Sequence, residues 1–194
     1  MILLMIYGGF LMKTNMIIKI SIYTTCICFA ALCIFSFFFP EINILKSIST
    51  VAAVANALVI IYCKWAWKIQ IKKIKFSSIP NLNGKWECII KYNFDGNDRE
   101  KISEVNIEQD LFGINVILIT DEIKSNAITA SIINEHGSKY LIYTYRTTPK
   151  QDVRDKNPIQ YGTAKIDISD INNVYGEYWT TRKTQGMMYL KKKN

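Results

Sequence analysis

The chain has 194 residues and a formal net charge of +8, and this charge is unevenly distributed. Residues 1–76 contain 8 Lys and Arg against 1 Asp or Glu, whereas residues 77–194 contain 16 against 15. A DNA- or RNA-binding domain carries its basic excess on the folded part. The nearly balanced second part therefore argues against a nucleic-acid partner, and the basic first part favours contact with anionic lipid.

Cysteine and histidine are placed in a way that excludes several activities. Only Cys88 of the 5 cysteines lies in residues 77–194, so that part has no disulfide framework. The single histidine, His136, stands in a turn-like Asn-Glu-His-Gly, and the sequence has no Walker loop, glycine-rich dinucleotide turn or CxxC pair. We therefore predict a binding protein with no catalytic residues, no bound metal and no cofactor.

Two hydrophobic stretches, residues 17–39 and 44–63, predict two transmembrane helices. A bilayer core about 30 Å thick requires about 20 apolar residues per helix. The first stretch contains one charged residue, Lys19, and the second contains Lys46 near its start. Because only residues 40–43 separate the two stretches, the helices are expected to form a hairpin.

Lysines predict the orientation of this hairpin. The chain leaves the second stretch through a run of lysines at positions 64, 68, 72, 73 and 75. Positively charged flanks remain on the cytoplasmic side. We therefore predict a multi-pass membrane protein with both termini in the cytoplasm.

One face of the second stretch carries small and polar residues. Ser49, Ala53, Asn56 and Ala57 follow one another at spacings of three and four, which permits close helix approach and an interhelical hydrogen bond. Two interpretations are open: packing within the hairpin, or contact between protomers of a homo-oligomer.

After residue 77 the hydrophobic period changes to two. Trp86 and Cys88 alternate with Lys85 and Glu87, which is typical of a half-buried antiparallel strand. The same pattern recurs to give eight predicted strands. The predicted tight turns are residues 95–98, 121–122, 134–137 and 184–186, and the one long loop is residues 149–158.

A meander of eight strands closes most easily into a small barrel, because closure removes both exposed edges. We therefore predict an all-β domain, residues 77–194, with an up-and-down antiparallel barrel of the lipocalin or streptavidin kind. It follows a two-helix membrane segment and linker, residues 1–76. A β-sandwich is the alternative fold.

Polar and aromatic side chains are predicted to point into this barrel from two strands. Glu177 marks a solvent face, so Tyr178, Thr180 and Arg182 are predicted to face inward. Tyr143, Tyr145 and Thr147 form a second inward row if Leu141 faces inward. Phenol, hydroxyl and guanidinium groups suit a nucleotide-like ligand. The predicted ligand-binding residues are Tyr143, Tyr145, Thr147, Tyr178, Thr180 and Arg182. In the alternative interpretation, Arg182 stacks on Trp86 and closes one barrel end.

Several residues together resemble a known family. In chain order they are Leu82-x-Gly84-x-Trp86, Gln109, Ser125, Tyr143-x-Tyr145-x-x-x-Pro149, Tyr161-Gly162-Thr163 and Gly176-x-Tyr178-Trp179-Thr180-x-Arg182-x-x-x-Gly186. This set, with the two helices, resembles the two-transmembrane β-barrel effectors of bacterial cyclic-oligonucleotide anti-phage systems (CBASS). We assign Gly84 and Trp86 a structural role at the start of the first barrel strand.

The resemblance implies a function. In that family the barrel is the receptor for a cyclic dinucleotide that a partner nucleotidyltransferase makes during infection, and binding drives oligomerisation and disruption of the inner membrane. The sequence departs from the family at Tyr161, where a histidine is expected before Gly162. Two other functions remain open: a membrane-tethered, lipocalin-like carrier of an apolar ligand, and a structural membrane protein whose barrel recruits a partner.

Overall fold

The computed structural model describes residues 2–39, 44–71, 74–75, 79–94, 96–155 and 157–193. They comprise a helical segment and a β-barrel, which are described separately.

Two helices have the length and composition to cross a membrane. Helix α1 is Ile2–Phe38 and helix α2 is Ile44–Lys64. Within them, the apolar stretches are Ile17–Phe38, of 22 residues, and Ser47–Lys64, of 18. Helix α1 begins well before the predicted start at residue 17, because no proline interrupts the chain before residue 40. The predicted turn at 40–43, and with it the hairpin, lies outside the described residues.

Helix α2 buries a different face from the one that carries small residues. Its buried positions are Ala55, Val59 and Cys63, which are four residues apart. Ser49, Ala53, Asn56 and Ala57 are all exposed. Both interpretations of this face, packing within the hairpin and contact between protomers, stay predictions, because the turn that would form the hairpin lies outside the described residues.

Short elements follow helix α2. A 3-10 turn, Ala66–Lys68, contains the buried Trp67. Two short antiparallel strands, β1 (Gln70–Ile71) and β2 (Ile74–Lys75), come next.

Eight antiparallel strands then form a closed barrel, which confirms the predicted fold. In chain order they are β3 (Gly84–Phe94), β4 (Asn97–Gln109), β5 (Ile114–Ile119), β6 (Ile123–Glu135), β7 (Ser138–Pro149), β8 (Gln160–Asp167), β9 (Val174–Thr180) and β10 (Gln185–Lys192). Each strand pairs with its chain neighbours, and β10 closes the ring on β3. The β-sandwich alternative is wrong, because the sheet has no open edge.

Strand alternation separates the barrel wall into an inner and an outer face. On β7, Leu141, Tyr143, Tyr145 and Thr147 are buried, and on β3 Trp86 and Cys88 are buried. Together with inward residues of the other strands they form the core. The remaining fully or nearly fully buried barrel residues include Val105, Ile107, Val116, Ile132, Ala164, Ile166, Val174 and Met188.

Three of the predicted turns are shortened by the neighbouring strands; at residues 134–137, strand β6 continues to Glu135. Strand β4 already begins at Asn97 and strand β10 at Gln185, so residues predicted as turn take part in the ladder. The physical reason is that the two strands of a hairpin stay paired as far as the loop between them can close. In the turn between β3 and β4 a side chain helps to close the loop, because Asn93 Oδ1 accepts the Gly96 N–H at 3.1 Å. The turn at 121–122 and the long loop between β7 and β8 lie where they were predicted.

One end of the barrel is closed by the segment that leads into β3. Gln109 at the end of β4 holds it: its Oε1 accepts the Leu82 N–H at 2.8 Å, and its Nε2 donates to the Pro80 carbonyl at 3.0 Å. The fully buried Trp86 donates its indole N–H to the Leu82 carbonyl at 2.8 Å. Gly84 has a φ of 117°, a conformation that favours glycine. This end of the barrel is therefore packed with side chains.

Candidate functional site

The opposite end of the barrel contains a cavity of about 360 Å³. It lies where β3 meets β4, β5 meets β6, β7 meets β8 and β9 meets β10. The residues that line it are Ile90, Tyr92, Arg99, Lys101, Leu118, Thr120, Glu122, Ile123, Ser125, Tyr143, Tyr145, Thr147, Asn157, Gln160, Tyr178, Thr180, Arg182, Thr184 and Met188. All six predicted ligand-binding residues are among them.

Tyr143, Tyr145 and Tyr178 form most of the aromatic part of the lining, to which Tyr92 also contributes. The rings of Tyr143 and Tyr145 lie 5.7 Å apart between centroids and are tilted by 45°. Burial is the main reason that the pKa values of both phenols lie far above the usual value near 10. Burial, with smaller contributions from Tyr92 and Cys88, raises the pKa of Tyr178 to about 12. All three phenols are therefore neutral at physiological pH and can both donate and accept hydrogen bonds.

Neutral polar side chains line the cavity beside the tyrosines. Ser125 and Thr147 are both buried, and their hydroxyl oxygens lie 2.9 Å apart in a hydrogen bond. Gln160 stands opposite Thr147 in the ladder between β7 and β8, and Thr180 stands opposite Gly162 between β8 and β9. These groups give the cavity hydrogen-bonding capacity without charge.

Charged side chains line the cavity from β4 and the turns at this end of the barrel. Arg99 and Arg182 are exposed, and Lys101 is partly buried. Glu122 is the single carboxylate among the lining residues, and its Oε2 accepts from Lys101 Nζ at 2.8 Å. The Lys101 ammonium lowers the pKa of Glu122 below its usual value, so this carboxylate is ionised at neutral pH. Three cations face one carboxylate, which suits an anionic ligand.

A glycine makes room for one of the tyrosines. A Cβ at Gly162 would meet Tyr145 Cζ, would lie 2.5 Å from Tyr145 Oη and would lie 2.8 Å from the Trp179 carbonyl oxygen. Carbon atoms in proteins do not approach this closely without displacement of a neighbour. Tyr145 can therefore lie against the barrel wall only because residue 162 has no side chain.

The structure resolves the two interpretations of Arg182. Arg182 lies with Tyr92 around the cavity, whereas Trp86 is at the other end of β3 and is not among the cavity residues. Among the described residues, the cation over the Trp86 ring is Lys192, whose Nζ is 5.5 Å from the ring centroid. The stacking of Arg182 on Trp86 is therefore wrong, and that residues 143, 145, 147, 178, 180 and 182 contact a ligand stays a prediction.

Several cavity residues were missed from the sequence. Arg99 and Lys101 were not among the predicted ligand-binding residues, although counting back in steps of two from the inward Val105 places both on the inner face. Glu122 lies in a turn and Gln160 begins a strand, so their place in the cavity could not be predicted without knowing which turns and strand ends meet at this end of the barrel. Tyr161, the position that departs from the family pattern, is 51% exposed and is not among the cavity residues.

The fold and the cavity define a class: a β-barrel receptor for a small anionic ligand, preceded by two helices capable of spanning a membrane. Residues 77–192 match the family model described as "Cap15, cyclic dinucleotide receptor domain". The chain belongs to this family, which confirms the resemblance to the CBASS effectors.

Curated relatives carry the same assignment over most of the chain. "CD-NTase-associated protein 15" from Staphylococcus schleiferi is 37% identical over 180 residues, which cover 93% of this chain and 97% of that protein. A protein of the same name from Escherichia albertii is 25% identical, covering 82% of this chain and 88% of its own. A third, from Yersinia aleksiciae, is 29% identical and covers 60% of this chain and 57% of its own.

Proposed function

We propose that the cavity at this end of the barrel binds a cyclic dinucleotide and that this binding activates an anti-phage effector at the inner membrane. The observation that carries the proposal is one cavity with tyrosines, neutral hydrogen-bonding groups and three cations in its lining. Aromatic rings suit bases, and guanidinium groups suit phosphates. Membership of a cyclic dinucleotide receptor family supports the same ligand class.

The charged lining argues against an apolar carrier. A pocket for an apolar ligand is lined predominantly by hydrophobic side chains with few polar groups. Here an apolar ligand would desolvate Arg99, Lys101 and Arg182 and offer none of them an anionic group in return, which is unfavourable. With three cations in the lining, each phosphate of a dianionic ligand can contact at least one of them.

Binding is tested with the full chain in detergent or nanodiscs by calorimetric titration against a set of cyclic dinucleotides. We expect Arg182→Ala to weaken binding by roughly thirtyfold, about 2 kcal/mol, because a charge-assisted hydrogen bond to phosphate is lost. Arg146→Ala is the matched control, since Arg146 is exposed and is not among the cavity residues. Equal losses in both variants, or no binding of any cyclic dinucleotide to the natural chain, would contradict the proposal.

We further propose that the ligand is supplied by a partner nucleotidyltransferase and that both termini of this multi-pass protein are cytoplasmic, where such a ligand is made. The lysines that follow helix α2 support this orientation. Reporter fusions at residue 194 test it: activity of a cytoplasmic reporter is expected, and activity of an extracytoplasmic reporter would contradict both orientation and function.

Membrane disruption is proposed to follow from association of liganded barrels. Few residues separate helix α2 from the barrel, so barrels that associate bring their helices to a high local concentration. The exposed face of Ser49, Ala53, Asn56 and Ala57 then offers a surface for helix packing between protomers. The ligand does not need to change the shape of the helices.

A further inference from the structure

Two buried polar atoms in the cavity have no hydrogen-bond partner among the described residues. They are Gln160 Oε1 and Thr180 Oγ1. The large majority of buried side-chain polar atoms in proteins are paired. By contrast, the neighbouring Ser125 and Thr147 hydroxyls satisfy each other at 2.9 Å. Two unpaired atoms in the lining of one cavity indicate where a ligand supplies the missing partners.

These two atoms lie on an uncharged wall of the cavity. The cavity residues contributed by strands β7, β8 and β9 are Tyr143, Tyr145, Thr147, Gln160, Tyr178 and Thr180, none of which is charged. The cations Arg99 and Lys101 come from β4, and Arg182 comes from the turn after β9. The lining therefore separates into a neutral wall and a cationic region.

A phosphate can pair with only one half of the Gln160 side-chain amide, its N–H donor, and leaves the carbonyl oxygen unpaired. A carbonyl oxygen only accepts hydrogen bonds, and an ionised phosphate has no hydrogen to donate. Nucleobases do present N–H groups next to acceptors on their edges, and a glutamine amide can pair with such an edge through two hydrogen bonds. Tyr145, opposite Gly162 in the ladder beside Gln160, supplies an aromatic ring close by.

We propose that Gln160, assisted by Thr180, reads the edge of a nucleobase and so decides which cyclic dinucleotide binds. The cations contribute affinity through the phosphates, which are the same in every cyclic dinucleotide of a given linkage. This inference rests on the proposed function, and it adds the residues that set base selectivity.

The test compares cyclic dinucleotides that share one phosphate linkage and differ only in their bases: adenine, guanine, cytosine and uracil. Affinities are measured by calorimetry for the full chain in nanodiscs and for the variants Gln160→Met and Thr180→Val. We expect the natural chain to separate the best and worst bases by about tenfold or more. Gln160→Met should reduce this ratio to about threefold or less, and Thr180→Val should reduce it partly.

Two control variants separate selectivity from affinity. Gln185→Met removes an exposed glutamine amide that is not among the cavity residues, and it should leave the ratio unchanged. Arg182→Ala should weaken all four ligands by a similar factor and also keep the ratio. An unchanged ratio in Gln160→Met, or an equal loss for every base, would overturn the inference while leaving the proposed function intact.

Folding failure is covered by a second variant. If Gln160→Met lowers the melting temperature markedly, Gln160→Glu keeps the size of the side chain and replaces a donor and an acceptor by two acceptors. We then expect a changed rank order of the bases, and an unchanged order overturns the inference. Absence of binding by the natural chain to all four ligands would instead overturn the proposed function, and the inference with it.

Discussion

Substitution of Gly162 by alanine is expected to act on the cavity through Tyr145. The new Cβ would lie 2.5 Å from Tyr145 Oη and 2.8 Å from the Trp179 carbonyl oxygen, and it would also meet Tyr145 Cζ. We expect the ring to move away from residue 162 and toward the cavity that Tyr145 lines. Tyr145 is 9% exposed, so the displaced ring would occupy space that a ligand needs.

The size of this effect follows from overpacking. Forcing one extra carbon into a packed site costs about 1–3 kcal/mol, and for a domain of this size that lowers the melting temperature by about 4–12 °C. We expect binding to weaken by at least about tenfold, since ligand must also push the ring back, and 1.4 kcal/mol corresponds to a factor of ten. Melting is followed by intrinsic tryptophan fluorescence of the full chain in detergent, and binding by calorimetry.

A double-mutant cycle isolates the cause. Tyr145→Leu removes the ring that Gly162→Ala would displace, so the alanine should destabilise the Tyr145→Leu variant by about 1 kcal/mol less than it destabilises the natural chain. The remaining cost is attributed to the Trp179 carbonyl oxygen. Additive effects within 0.3 kcal/mol, on the order of the error for independent sites, would refute the steric reasoning.

Three further predictions concern charge, membrane and pH. Glu122→Gln should tighten cyclic dinucleotide binding about two- to fivefold, because it removes an exposed carboxylate that competes with phosphate for Lys101. The control is Glu104→Gln, which breaks ion pairs away from the cavity and should leave the affinity unchanged. Ala53→Leu should preserve binding but abolish ligand-induced leakage of liposomes containing the full chain, whereas Val54→Leu, also exposed, should retain leakage. The contribution of Tyr178 to stability should be fully present below pH 10 and be lost between pH 10 and about 12, because Tyr178 ionises later in the folded state than in the unfolded state. Tyr178→Phe should therefore reduce the fall in melting temperature over this range.

Each of these predictions has an opposite outcome. Weaker binding of Glu122→Gln would indicate that the carboxylate itself contacts the ligand. Equal leakage from the Ala53→Leu and Val54→Leu variants would show that the small-residue face of helix α2 is not needed for membrane disruption. A melting temperature independent of pH up to 12 would show that the tyrosines are solvated in the folded protein.

Much of the fold was predictable because it depends on local periodicity. Alternation at Trp86 and Cys88 identifies an inner face whatever the partner strand, since side chains alternate with a period of two. The inward rows on β7 and β9 follow from the same rule, once Leu141 is buried and Glu177 exposed. Apolar length alone likewise identifies the two helices.

The exact turn positions, and the grouping of charged side chains around the cavity, were not predictable in this way. Asn97 and Gln185 carry turn-forming or neutral side chains yet take part in ladders, because register depends on both strands of a hairpin. Alternation from Val105 gives the inward face of Arg99 and Lys101, but only the closed barrel shows that they lie with Arg182 around one cavity. Local sequence therefore gives the face of a residue more readily than the end of the barrel at which it lies.

The sequence by itself determined that this chain has two apolar helices followed by eight short strands, because hydrophobic length and alternation are properties of each segment alone. That the strands close into a barrel and not a β-sandwich was decided only by the tertiary structure. Only the tertiary structure decided that Arg182 lies with Tyr92 at the open end and that Lys192 lies over Trp86. Only the structure brought Gln160 and Thr180 into one cavity with their polar atoms unpaired. The physical reason is that these contacts join residues distant along the chain, and strand register and barrel closure set their positions.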